Sequence, residues 1–187
     1  MSPPEGHVTL QLLVALEDVH PTVWRRLLVP GGVRLPKFHL MLQAGMGWSD
    51  SHLHQFRIGG VLWGMHFEDW VDDELDEATV TVARAVGATR QFFYDYDFGD
   101  GWGLEMAVES TWRTPQPLKH AVCLAGARAC PPEDVGGAPG YEDFLRILGD
   151  PSDEEYERFR YWSGGDFDPE WFDLVERNIA LQKIAIR

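Results

Sequence analysis

Residues 8–48, "VTLQLLVALEDVHPTVWRRLLVPGGVRLPKFHLMLQAGMGW", decide the fold class. Val8, Leu10, Leu12, Val14 and Leu16 alternate with smaller or more polar residues, the period of a half-buried strand. "EDVHPT" interrupts the alternation and "VWRRLLV" (23–29) resumes extended structure, so the two runs read as a hairpin. The period then changes. Phe38, Met41, Leu42 and Gly45 fall at i, i+3, i+4 and i+7, and Pro36 suits a first helical turn, where its missing N–H has no partner to lose. A short helix laid across the hairpin follows. "HLHQFRI" (52–58), Gly59-Gly60 and "VLW" read as a second hairpin, giving the order β-β-α-β-β, similar to a β-grasp core.

Beyond this unit, "HFEDWVDDELDE" (66–77) carries seven acids and reads as a solvated connection, because like charges repel and extend a chain. "RQFFYDYDF" (90–98) and "WGLEMAVESTW" (102–112) flank Gly99-Asp100-Gly101, which predicts a third hairpin with a tight turn at Asp100-Gly101. A two-residue turn would set Asp97 opposite Leu104 and Asp95 opposite Met106, on the face of Trp102. A three-residue loop would turn the aspartates toward the face of Glu105 and Glu109 instead. "CLAGARACPPEDVGG" (123–137) shows no regular period, and its Pro131-Pro132 and Gly136-Gly137 pairs make it a stiff, ordered loop bordering the third hairpin.

The last third is helical. Tyr141, Phe144, Leu145 and Leu148 form one stripe closed by Gly149 and Pro151. Ser152 and Glu155 have capping-box spacing ahead of Tyr156, Phe159 and Trp162. Asp168 and Pro169 are placed to start a final helix lined by Trp171, Leu174, Val175, Asn178 and Leu181. The expected fold is α+β in a single domain over 1–187: a sheet-forming part (8–112), a structured loop (113–140) and a helical part (141–185).

Hydrophobic residues make up 44% of the 187, including eight Trp, enough for a substantial core and unlike a disordered chain. No apolar run approaches the ~20 residues needed to span a bilayer, and "MSPPEGH" has neither the basic nor the apolar part of a signal peptide. With only two cysteines, a secreted disulfide scaffold is disfavoured and the cytoplasm is the expected compartment. The net charge of −14 opposes the phosphate-driven part of nucleic-acid binding. Arg25, Arg26, Arg34 and Lys37 form a small basic cluster, expected to be solvated surface.

Several residues could carry chemistry. His52 and His54, two apart on a strand, would project to one face with Phe56 and Ile58 and could chelate a divalent metal with nearby carboxylates, or simply pack. Asp95 and Asp97 could border an apolar surface as perturbed acids, or Asp97 and Asp100 could hold turn backbone. Cys123 and Cys130 are spaced too widely for a zinc hook; buried free thiols, a metal site that includes His120, and a disulfide all remain open.

The chain resembles the plasmid pRiA-type open-reading-frame-three family, also labelled insertion-sequence passenger TnpR. The resemblance rests on "PTVWRRLLVP", "QAGMGWSDSHLHQFRIGG", "YDYDFGDGW", "CLAGARACPPEDVGG", "GYEDFL" and "GDFDPEWFD", and covers about residues 8–180. It implies an α+β domain associated with mobile elements and assigns no catalytic role to any residue. Positions that carry over are His52, His54, Asp97, Asp100, Trp102, Cys123, Cys130, Glu133, Asp134, Asp166 and Asp168. One departure stands out: Leu104 occupies a position where the family usually has His.

The expected function is a cytoplasmic, non-catalytic binding or accessory module, with an unspecified protein or small-molecule partner and no cofactor. Its recognition face would join the "DSHLH" strand, the "DFGDGW" turn and the "PPEDVGG" loop, with Asp166 and Asp168 as further binding-face candidates. The alternative is a metal-assisted hydrolase using His52, His54 and neighbouring carboxylates. A third reading is an acidic DNA mimic, with the acids of 68–77 imitating phosphates.

Overall fold

The computed structural model describes residues 6–65 and 74–186. Its centre is one eight-stranded sheet in the order β5-β4-β3-β6-β7-β1-β2-β8. The strands are β1 His7–Leu16, β2 Trp24–Pro30, β3 His54–Ile58, β4 Val61–Gly64, β5 Leu75–Asp76, β6 Gln91–Tyr96, β7 Trp102–Thr114 and β8 Val122–Ala127. The helices are α1 Leu35–Met46, α2 Val82–Val86, α3 Gly137–Leu148, α4 Tyr156–Trp162 and α5 Leu174–Gln182. The fold is α+β, with most of its helix toward the C-terminus. The chain order β-β-α-β-β holds over 7–64, but the two hairpins are not neighbours: β6 and β7 lie between β3 and β1.

Alternation sorts the sheet into two faces. Leu10, Leu12, Val14, Leu27, Val29, Phe56, Phe92, Tyr94, Leu104 and Met106 point inward, where Phe38, Met41 and Leu42 of α1 meet them, all buried. The other face is polar. There Arg57 makes two hydrogen bonds to Asp95 (2.7 and 3.0 Å), Arg26 makes two to Glu109 (2.7 and 2.8 Å), and Gln91 donates to Glu105 (2.7 Å).

The third hairpin has neither register anticipated above. Tyr96 pairs with Trp102 and Asp95 with Gly103, leaving residues 97–101 as a five-residue loop. Asp97 Oδ1 accepts the N–H groups of Gly99 (3.0 Å) and Asp100 (3.3 Å), and Gly101 N–H closes on the Asp97 carbonyl at 2.6 Å. These bonds wind the loop into a helical turn, so only Gly101, not Asp100, takes a positive φ there together with Asp97. The odd loop length turns Asp95 outward, to the face of Glu105.

Other differences follow from tertiary contacts. Arg25 is not surface: it is 2% exposed, in register with Leu27 and Val29. The segment expected to be irregular contains β8, which pairs with the open edge of β2 through a register shift at Arg26/Leu27. The Asn178 amide of α5 completes β8's outer side, accepting from Cys123 N–H (3.0 Å) and donating to Cys123 C=O (2.9 Å). Ser152 does not cap α4; its hydroxyl donates to Asp150, and no residue of α4 is fully buried. The last helix starts at Leu174, because Asp173, not Asp168, accepts the N–H groups of Val175 and Glu176. Of its anticipated inner face only Leu181 is buried, and Trp171 and Val175 are exposed.

Candidate functional site

Three segments from distant parts of the chain meet at one end of the sheet. They are the connection from α1 to β3 (48–53), the β6–β7 loop (97–101) and the stretch from β8 to α3 (130–137). Glu133 ties them together. It accepts the Ser49 N–H (3.0 Å), the Ser49 hydroxyl (2.5 Å) and the Tyr96 hydroxyl (2.7 Å). Burial acts to raise the Glu133 carboxyl, but the donors from Ser49, Tyr96 and Ser51 outweigh it and hold the group below the usual range. Tyr96 also accepts the Ser51 N–H at 3.0 Å, and burial with the Glu133 bond pushes its hydroxyl well up, so it stays a donor.

Two further contacts close the junction. Trp48 Nε1 donates to the Pro131 carbonyl at 3.2 Å, while its ring lies 4.9 Å from Tyr96 and 6.1 Å from Trp102. Gly136 N–H donates to Asp100 Oδ2 at 2.9 Å. Gly137 follows at φ +68°, and a Cβ there would sit 2.2 Å from the Asp100 carbonyl oxygen. Glycine is required by this close approach.

On this framework His52 Nε2 lies 3.6 Å from Asp97 Oδ2 and 3.2 Å from Asp134 Oδ1. Asp97 and Asp134 both take left-handed backbone, at φ 53° and 60°. Phe98, 56% exposed, follows Asp97 in its loop, and Leu53, 40% exposed, follows His52 in the connection from α1 to β3.

His54 does not join His52. The strand begins at His54, which turns into the core, where its Nε2 meets Glu77 Oε2 at 2.9 Å, both side chains buried. Its ring stacks on His39 at 3.6 Å between centroids and 4° from parallel. His39 bridges the Tyr94 hydroxyl (2.7 Å) and Asp50 (2.6 Å), and burial followed by the neighbouring His54 lowers its pKa against the pull of Asp50.

The remaining candidates lie apart. Trp102 is a core residue beneath the junction, 2% exposed, as is Leu104 at 0%. Asp166 pairs with Arg160 at 2.8 Å, and Asp168 accepts the Glu170 N–H of its own turn at 2.9 Å. Cys123 and Cys130 are free thiols, and His120 bonds the Ala121 carbonyl. Residues 66–73 of the acidic run lie outside the described residues. Its end is not a solvated charge array: Glu74 accepts from Gln55, Asp76 caps a turn and Glu77 is buried. Ser49, Ser51 and Tyr96 were not singled out in the sequence, although the polar "WSDS" after Gly47, which ends α1, signalled an ordered connection.

Residues 8–176 match the family described as plasmid pRiA4b ORF-3-like protein. The chain belongs to the pRiA4b ORF-3-like family. A protein from Sinorhizobium fredii, described as uncharacterized protein y4hQ, is 38% identical over 181 residues, covering 95% of this chain and 93% of its own. The crystal structure of MM3350 from Methanosarcina mazei Go1, a protein of unknown function, superimposes with a TM-score of 0.82 at 33% identity. That match covers 92% of this chain and 98% of MM3350. The junction segments fall within the span of the pRiA4b ORF-3-like match. Among the described residues no helix is long and apolar enough to cross a membrane.

Proposed function

We propose that this pRiA4b ORF-3-like protein is a non-catalytic binding module of mobile elements, and that its recognition face is the three-loop junction. The observation that carries this reading is the locking of the three segments through Glu133, Ser49, Tyr96 and the Gly136–Asp100 bond. A face held this way loses little conformational freedom when a ligand arrives, which is the energetic requirement of recognition. Asp50, Asp97, Asp100, Glu133 and Asp134 make it acidic, with Phe98 and Leu53 as apolar anchors. The ligand is a positively charged group; nucleic acid is disfavoured by the net charge of −14. Two free thiols suit a reducing cytoplasm.

The test is an amide NMR titration with a lysine- and arginine-rich peptide, an acidic peptide and duplex DNA at physiological salt. The basic peptide should shift resonances of 49–53, 97–101 and 133–137, and Phe98→Ala should weaken it. Shifts spread evenly over all acidic surfaces would overturn the reading, as would micromolar binding of the DNA. A second reading, metal-assisted hydrolysis, is favoured by the approach of His52 to Asp97 and Asp134, and turnover of phosphoester or amide substrates abolished by His52→Ala would support it.

A further inference from the structure

We infer that His52, Asp97 and Asp134 form a three-ligand site for a first-row divalent cation, zinc being the best fit. The proposal rests on the reading of the junction as a face for positive charge, and names the smallest ligand that face can take. One donor atom from each residue lies within 4.8 Å of the other two. A tetrahedral centre with bonds of about 2.0–2.2 Å has donor–donor edges of roughly 3.3–3.6 Å. The distances from His52 Nε2, 3.2 Å to Asp134 and 3.6 Å to Asp97, bracket those edges. Asp134 is exposed, so a rotation of its side chain brings the third edge into range.

The donor atoms are also uncommitted. His52 Nε2 is a buried nitrogen with no hydrogen bond among the described residues; neither carboxylate meets it with hydrogen-bonding geometry. Asp97 is 7% exposed, and its two backbone bonds use Oδ1 alone. Its Oδ2 accepts no hydrogen bond from the described residues and points at His52. A buried nitrogen without a partner carries a desolvation penalty that a metal bond removes. One imidazole and two carboxylates favour zinc and its first-row neighbours over magnesium or calcium, which prefer all-oxygen shells. Three protein ligands leave a fourth position for water or for a donor group of a larger ligand.

The test is calorimetry of the full-length, chelator-treated protein with zinc chloride, with magnesium and calcium as controls and a cobalt(II) absorption spectrum to identify the donors. The expected result is one zinc per chain and a nitrogen–oxygen cobalt spectrum. Loss of an outer-shell partner commonly weakens a metal site 10–100-fold, so removing a ligand should weaken it by at least roughly tenfold. Asp134→Asn and His52→Ala are the variants; the exposed Asp134 keeps the first free of folding defects, checked by circular dichroism. No saturable zinc binding overturns the proposal. So does affinity unchanged in both variants, or a thiolate charge-transfer band assigning the metal to Cys123 or Cys130. Zinc binding without any localised response to the basic peptide keeps the metal site and removes the wider recognition reading; the reverse pattern removes the metal site alone.

Discussion

The imidazole rings of His39 and His54 stack 3.6 Å apart inside the core, and only one has an inner carboxylate for a partner. His54 meets buried Glu77, whereas His39 reaches outward to Asp50 and sideways to Tyr94, whose hydroxyl also receives a bond from Gln43.

That geometry sets a pH dependence. Burial, reinforced by His54, lowers the His39 pKa below its unfolded value of about 6.5, while Asp50 and Glu77 oppose the shift. The folded state then binds fewer protons than the unfolded chain, so this contribution is complete above about pH 6.5 and is lost as pH falls below it. Thermal unfolding should show the midpoint falling between pH 7 and 5. His39→Gln, which cannot titrate, should flatten that slope. An identical slope in the variant would remove His39 as its source.

Glu133 should behave as the clasp of the junction. Glu133→Ala leaves the Tyr96 hydroxyl and the Ser49 N–H and hydroxyl without their acceptor, a loss of about 1–3 kcal/mol in denaturant titrations. Hydrogen exchange should accelerate across 130–137 and 48–53 while β1 and β7 stay protected. Glu133→Gln keeps one carbonyl acceptor and should fall between the two. Uniform acceleration over the whole chain would show a global defect rather than an opened clasp.

Gly137 tests the contact between loop and hairpin from the other side. Alanine there must hold φ +68° and push its Cβ against the Asp100 carbonyl, so Gly137→Ala should destabilise by about 2–4 kcal/mol. Gly32→Ala is the control, since nothing lies within 4 Å of a Cβ at that position and its φ is ordinary. Equal stability of the two variants in denaturant titrations would mean that loop and hairpin part without cost.

These tests follow the boundary between what was legible in the sequence and what was not. Leu10, Leu12, Val14 and the stripe of α1 were legible because burial on one face repeats with a fixed period. The same period carried the signal for Arg25, in step with Leu27 and Val29, but a cation at a core position reads as surface until its acceptors are seen. Strand β8 has small residues and no alternation, and it exists because β2 leaves an edge open and Asn178 seals the far side. The β6–β7 register depended on Asp97 Oδ1 gathering two N–H groups, which the letters "DFGDG" do not announce. The partnership of His54 with Glu77 crosses 23 residues, and no local pattern encodes it.

The thiols should be silent in the native protein. Burial raises Cys123, and although Cys130 as a residue is partly exposed, its enclosed thiol is pushed up to about 12 against the pull of Arg25 and Arg177. The thiolate is the reactive form, so an aromatic disulfide reagent should label neither cysteine at pH 8 until denaturant is added. Immediate labelling of Cys130 would mean that segment 130–137 opens readily.

Arg25 offers the last test, because its buried charge meets no carboxylate among the described residues. Its Nε donates to the Gly45 carbonyl (3.0 Å) and its two terminal nitrogens to Trp24 (2.8 Å), Ala127 (2.8 Å), Met46 (3.2 Å) and Arg128 (2.9 Å). Gly45 and Met46 lie at the C-terminal end of α1, where the helix dipole favours a cation. Ala127 and Arg128 lie where β8 gives way to the loop, so one side chain joins helix, sheet edge and loop. Burial lowers the Arg25 pKa, yet five carbonyls match the five N–H groups of a guanidinium. An ammonium has three donors, so Arg25→Lys should strand two carbonyls and destabilise by about 2–4 kcal/mol despite keeping the charge. Arg25→Met should cost at least as much, because all five acceptors lose their donor. If lysine proves neutral in denaturant titrations, the charge alone holds these elements together; if methionine proves neutral, packing against Phe172, 4.6 Å away, does so instead.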